Sequence, residues 1–361
     1  MRPLLASRTP RVGGLAAGLL LTALPACNVI LDIPEPHCDM PGNMTRPDGG
    51  TPPQGGDDDA GPRPPVPDTP ADARVPVPAD YDGDRRADLA MWTASGTWLI
   101  DYAANGFGSW DERIGGHGAP DAVPVPARYD DADLRADLAV WTPTGKWYVD
   151  YAANGYGAWD DIYDGYAAPG AVPVPGDYDG AGRADLAVRS TNGTWYVDYA
   201  ANGLTGWDVI RTGTGNESAR ATPGDYDGDG RADISIKSDG GVWYIDRADD
   251  GYEPAIWDEQ YAGYGWADVT PVPADYDGDH RTDLTIKGPD GAWFIDYSHD
   301  QGFGTWNEIP THHGEGAVVP VPADYDRDGK ADIAVASDEM WLIDYAVGGY
   351  IGWDVQVPLT P

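Results

Sequence analysis

In the stretch Asp225-Tyr226-Asp227-Gly228-Asp229-Gly230-Arg231-Ala232-Asp233, carboxylates fall at positions 1, 3, 5 and 9 of an irregular loop. Alternate side chains of such a loop can turn to one side, glycine lets the chain bend, and a backbone carbonyl at position 7, here Arg231, adds a neutral oxygen. This donor set suits a hard cation that takes about six to eight oxygens at about 2.3–2.6 Å, which is calcium rather than magnesium, since magnesium retains more of its water. Position 12, where an EF-hand places a bidentate Glu, holds Ile236, so the loop is not an EF-hand.

The same spacing is complete at Asp80, Asp82, Asp84 and Asp88 with Arg86 at position 7, at Asp275, Asp277, Asp279 and Asp283 with Arg281, and at Asp324, Asp326, Asp328 and Asp332 with Lys330. Two copies depart. One has Ala181 at position 5 and keeps Asp177, Asp179 and Asp185; the other begins with Arg128 and carries an extra residue before Asp137. The expectation is about four calcium ions, a weak fifth site at Asp177, Asp179 and Asp185, and none in the loop of Arg128. Acidic turns need no metal, because Asp and Gly suit turns for backbone reasons. Recurrence at a fixed phase favours the ion, since clustered carboxylates repel one another unless a cation lies between them.

The elements that position these loops repeat with them. The tyrosine at position 2 recurs at Tyr81, Tyr129, Tyr178, Tyr226, Tyr276 and Tyr325 in steps of about 49 residues. Each unit reads as a short strand, the acidic loop, a second strand such as Asp88–Trp92, a Gly turn, a third strand such as Thr97–Tyr102, an Asn-Gly turn, and a last strand from Trp110. Two tryptophans recur per unit, Trp98, Trp147, Trp195, Trp243, Trp293 and Trp341, then Trp110, Trp159, Trp207, Trp257, Trp306 and Trp353. One four-stranded unit cannot bury both faces of its sheet, so these rings should pack between units. The fold class is all-β, a six-bladed β-propeller over 75–361, closed by blade packing without exchange of a terminal strand.

At Val172–Gly180, Asp225–Ile236 and Asp324–Val335 the chain resembles the FG-GAP/VCBS-type repeats of integrin-like propellers. The resemblance implies calcium in the loops between first and second strands, on one face of the ring, and adhesion or ligand recognition outside the cell. Some fungal and bacterial relatives of that fold are lectins.

The remaining sequence bounds the setting. Residues 1–26 carry early arginines and an apolar run too short to span a membrane, ending in Leu24-Pro25-Ala26-Cys27, which resembles a bacterial lipobox with Cys27 as the acylated first residue. The alternative is an ordinary signal peptide with Cys27 retained and bridged to Cys38. Residues 27–74 are rich in Pro, Gly and Asp and read as an extended tether. A net charge of −37 opposes nucleic acid and anionic lipid, leaving the lipid anchor as the membrane contact and a glycan or a surface protein as the partner of a monomer.

The sequence shows no GxSxG, HExxH or GxxxxGK[ST] motif, and the expectation is a non-catalytic protein. A structural envelope component or a hydrolase are the competing classes. Positions where the copies disagree are candidate ligand contacts. Trp92 and Trp141 stand where other units have Arg189, Lys237, Lys287 and Ala336, and Trp266 belongs to neither repeated set. Their faces could carry the apolar side of a sugar, or pack locally. The aspartate closing each third strand, Asp101, Asp150, Asp198, Asp246, Asp296 and Asp344, is expected to hold a neighbouring blade or loop, and the pair His312-His313 to lie in a solvated loop.

Overall fold

The computed structural model describes residues 74–119, 121–168, 170–215, 217–252, 256–298 and 303–359. The signal peptide at 1–26, Cys27 and the tether as far as residue 73 lie outside the described residues. Among the described residues, no helix is long and apolar enough to cross a membrane.

The first blade is an antiparallel sheet of β1 (Arg74–Pro76), β2 (Leu89–Thr93), β3 (Trp98–Asp101) and β4 (Glu112–Ile114), paired in chain order. Five further sheets follow with the same order, so every blade is built from consecutive strands and none borrows a strand from elsewhere. In blade 5 the fourth strand shrinks to a bridge between Ile295 and Glu308. There Trp293 N–H reaches Pro310 O at 2.9 Å, and proline has no N–H with which to return the bond.

Burial explains why the second strand of each blade lost the alternation of a half-exposed strand. All residues of β2 are buried, as are those of its counterpart Leu138–Thr142, because both faces of a blade are covered by its neighbours. Outer strands such as β4 are exposed or half-buried.

The six apolar clusters each span two adjacent blades, including blades 6 and 1, where Leu89, Met91 and Leu99 meet Val321, Trp341 and Val357. Each receives both kinds of tryptophan. The first set, Trp98 and its equivalents, is fully buried and faces the following blade. The second set, Trp110 and its equivalents, is half-buried at the rim and faces the preceding one.

One backbone hydrogen bond repeats at every interface. The residue before the ninth position of each loop donates its N–H to the carbonyl of the first loop residue in the preceding blade: Ala136 to Asp80, Ala184 to Arg128, Ala232 to Asp177, Thr282 to Asp225, Ala331 to Asp275, and Ala87 to Asp324, at 2.6–2.7 Å. The last of these closes the ring. Truncation of a first-set ring leaves a cavity that packed strands cannot fill, so Trp147→Ala should cost about 3–5 kcal/mol in denaturant unfolding. Trp110→Ala, at the rim, should cost clearly less in the same measurement.

Candidate metal centres

Each acidic loop joins the first and second strands, so antiparallel order sets it at the same end of the blade as the turn after the third strand. The tyrosine at position 2 anchors it. Tyr81 donates its hydroxyl to Val77 O at 2.7 Å, and Tyr129, Tyr178, Tyr226, Tyr276 and Tyr325 reach the carbonyl four residues earlier in the same way. The tyrosine rings are buried, Tyr81 edge-on to Trp98.

Position 1 folds the loop on itself. Asp80 Oδ1 accepts the N–H of Gly83 at 2.6 Å and of Asp84 at 3.1 Å, while Oδ2 accepts that of Arg85 at 2.8 Å. Asp177, Asp225 and Asp275 accept the three corresponding N–H groups. To present them, positions 4 and 6 take left-handed φ. Glycine supplies this at Gly83, Gly180, Gly228 and Gly278, but Arg85, His280 and Arg327 adopt it without being glycine, at φ of 70°, 66° and 69°. Gly83 serves packing as well, since a Cβ there would lie 3.1 Å from Cγ of Arg135 in the next blade.

Position 9 is a strut. Asp88 is fully buried, and its two oxygens accept the N–H of Tyr81 at 2.7 Å and of Ala103, at the turn after β3, at 2.8 Å. Asp137, Asp185, Asp233, Asp283 and Asp332 make the same pair of bonds, including in the loop of Arg128.

Carboxylate oxygens converge to within 4.8 Å of one another in five loops, as Asp80, Asp82 and Asp88; Asp177, Asp179 and Asp185; Asp225, Asp227 and Asp229; Asp275, Asp277 and Asp279; and Asp324, Asp326 and Asp332. Hard oxygen donors at this separation fit a divalent cation. The trio at Asp177 forms although position 5 is Ala181, so it is as compact as the others. In the four complete loops one expected carboxylate stands outside the trio, and in the first loop it is Asp84, whose Oδ2 faces the Arg86 guanidinium at 2.9 Å from Nε and 2.6 Å from Nη2. Asp229 meets Arg231 likewise yet stays in its trio, where Asp233 is the carboxylate left out. At position 7, the N–H groups of Arg86, Arg231, Arg281 and Lys330 each donate to the position-5 carboxylate at 2.9 Å. No acidic trio forms at the loop of Arg128 among the described residues.

Residues 177–236 and 275–335 match the FG-GAP-like repeat family. Over these two stretches the chain is similar to FG-GAP-like repeats. No curated protein matches its sequence. Among solved structures it is similar to an Agrocybe aegerita lectin described for specific recognition of non-reducing terminal N-acetylglucosamine, at 17% identity over 80% of each chain and a TM-score of 0.53. It also resembles a chain of BBS1N in complex with ARL6DN, at 11% identity over 78% of this chain and 81% of that one, TM-score 0.47. A chain of the mitotic checkpoint complex gives 11% identity over 82% and 88%, TM-score 0.46. At such identities the likeness is one of fold.

Within the six repeats, the positions where the copies disagree turn out to share a task. Trp92 and Trp141 are 3% and 1% exposed and present no face to solvent, contrary to the reading of them as sugar platforms. Their indole N–H groups donate to His117 O and Tyr166 O, in the connection to the next blade. Arg189 reaches Thr214 O at 3.1 Å, Lys237 reaches Trp266 O at 3.2 Å, and Lys287 reaches Gly314 O at 2.6 Å. Five of the six blades place a long donor here, as indole, guanidinium or ammonium, and the sixth has Ala336. Burial lowers the Lys237 ammonium to about 8. Trp266 alone of the three candidates is open, 48% exposed, with its ring edge-on to Phe294 at 6.4 Å.

In five blades the aspartate closing the third strand holds the preceding blade, while Asp101 accepts the N–H of Gly108 in its own blade at 2.8 Å. Asp150 meets His117 Nε2 of the preceding blade at 2.6 Å and Asp198 meets the Tyr166 hydroxyl at 2.5 Å. Asp246 meets Arg211, Asp296 meets Tyr264, and Asp344 meets His313 Nε2 at 2.6 Å. His313 is therefore buried, against the expectation of a solvated pair, while His312 is exposed beside Glu315. Its partner Asp344 lies 31 residues away, outside the reach of any local spacing.

Burial raises the position-9 carboxylates, to about 8 for Asp88, Asp185 and Asp332, about 7 for Asp137 and about 9 for Asp283, with neighbouring loop aspartates adding to the rise. A carboxyl that holds its proton more tightly folded than unfolded contributes stability fully below the unfolded value of 3.8 and loses it as pH climbs through the folded values of about 7–9. Ion-free protein should accordingly melt at a lower temperature at pH 8.5 than at pH 5.5. Thermal scans in chelator at the two pH values check this, and a divalent cation should shrink the difference.

Proposed function

We propose that this protein is a non-catalytic recognition propeller whose acidic loops bind calcium and whose ring presents a binding surface to an extracellular glycan. The observation that carries the reading is the convergence of three carboxylate oxygens to within 4.8 Å in each of five loops, at the same end of successive blades. The FG-GAP-like match supports the ion, and the lectin of similar fold supports a sugar as ligand. Net charge of −37 favours a neutral glycan over an anionic one.

Ion binding to the folded state alone converts binding free energy into stability, about 2.7 kcal/mol per site at a hundredfold excess over Kd. Calorimetric titration of chelator-treated protein should count four to five calcium ions and raise Tm. Asp227→Ala in the fourth loop should remove one ion, whereas Asp130→Ala in the second should remove none. An unchanged Tm on adding calcium, or fewer than two bound ions, refutes the ion.

Trp266 is the aromatic face available to a sugar, and stacking on it would use the apolar side of a pyranose ring. A glycan array in calcium should give a defined set of positives, and Trp266→Ala should abolish them while leaving Tm within about 1 °C, since the ring is half open. A blank array with capture of a surface protein instead would move the ligand to the protein class. A broad hydrolase screen should stay negative.

The protein acts at the surface of the cell, held through acylated Cys27 with residues 27–74 as spacer. Mass spectrometry of the mature N-terminus should find Cys27 first and carrying acyl mass; a different first residue sinks the anchor.

A further inference from the structure

The second loop lacks a position-1 carboxylate, and the side chain in its place is a cation. Arg128 extends to the third blade, where its Nη1 donates to Gly182 O at 2.8 Å. Its Nη2 lies 3.9 Å from Asp131 Oδ1, and the other oxygen of Asp131 is met from the far side by Arg183 of the third loop at 2.8 Å. Within the second loop, Asp133 receives Arg135 through Nε at 2.8 Å and Nη2 at 2.6 Å, and Arg135 also donates to Ala152 O at 2.6 Å. Asp130 accepts the N–H of Ala132 at 2.9 Å, and Asp137 keeps its two strut bonds. Thus Asp131 and Asp133, which have no trio to join, each face guanidinium.

Gly182 connects this network to the third loop. Its N–H donates to Asp177 Oδ2 at 2.7 Å while its carbonyl accepts from Arg128, so this one residue joins the guanidinium to the first carboxylate of the third trio. That trio is the one without a carboxylate at position 5.

We propose that Arg128 is the resident cation of the second blade: its guanidinium, with Arg183 and Arg135, neutralises and orders this loop as a divalent ion orders the other five, and it positions Gly182 for the third. The inference rests on the calcium reading for the comparison with an ion, and on Arg128 alone for the ordering of the corner between blades 2 and 3. The planar fork matters, because one guanidinium bridges a carbonyl and a carboxylate at once where an ammonium would act as a point charge. The propeller is then ordered at this corner at all times, and its remaining loops loosen when the ion leaves.

Hydrogen exchange of the full chain, resolved by peptide and compared in calcium and in chelator, tests this. Chelation should speed exchange about tenfold or more in 80–88, 225–233, 275–283 and 324–332, and leave 128–137 within about twofold. Arg128→Gln should speed exchange in 128–137 and 177–185 in both conditions and leave the distant loops as in the wild type; Arg128→Lys should restore protection in part. Equal loosening of 128–137 by chelator, or wild-type protection of both loops in Arg128→Gln, overturns the proposal. Chelation without effect in any loop overturns the calcium reading and the analogy with an ion, while the Arg128→Gln arm still decides whether the guanidinium holds the corner.

Discussion

A carboxylate with no solvent around it must find donors, and the aspartate at loop position 9 finds two backbone N–H groups that would otherwise be orphaned. One belongs to the tyrosine at position 2 and the other to the turn after the third strand, so a single side chain ties the near and far halves of the blade together. The residue just before it donates to the preceding blade. Loop shape, strand pairing and ring closure are therefore set within two consecutive residues. The clustering of acids follows from the same bond, because holding Tyr81 inward turns its neighbours Asp80 and Asp82 to a common side.

The arrangement concentrates negative charge in a protein already at −37. Burial, with a smaller addition from mutual repulsion, raises the carboxylates, Asp80 to about 6 and Asp88 to about 8, so an ion-free loop relieves its strain by holding protons. A divalent cation relieves it at neutral pH without them. The guanidinium is the third route, used within a loop at Asp84 with Arg86 and across blades at Asp131 with Arg183. Which route a loop takes depends on what occupies position 1: aspartate gathers acids around a centre, and arginine disperses them into pairs.

Repetition made the propeller, the tryptophans and the acidic loops legible in the sequence, because in each case the residue type recurs along with its role. Where the role recurs and the type does not, the sequence misleads. Trp92, Trp141, Arg189, Lys237 and Lys287 looked free of the fold because they differ, yet each carries a donor to a carbonyl of the outgoing connection. The clasps on the third-strand aspartates hide in the same way, and one of them shifts register. His117, Tyr166, Tyr264 and His313 sit three residues beyond the partner of the buried tryptophan, but blade 3 has Thr214 there, too short to cross. Arg211, directly opposite Trp195, reaches over instead, with its guanidinium 4.1 Å from the Trp257 ring.

Among the described residues, the interface between blades 6 and 1 shows neither device. Ala336 stands at the donor position, Val357 lies opposite Trp341, and Asp101 accepts Gly108 N–H with no clasp from blade 6 among the described residues. In their place are Leu89, Met91 and Leu99 against Val357 and Leu359. The difference suits the way this interface must form. Neighbouring blades in the sequence meet through a short connection that delivers a histidine, tyrosine or arginine to its aspartate, whereas blades 6 and 1 come together across the whole ring. Apolar burial is non-directional and rewards approach before alignment is complete, while a buried polar clasp costs free energy until its geometry is made. Among the described residues the seam is consequently apolar, and the directional contact it shares with the other five interfaces is the bond from Ala87 to Asp324.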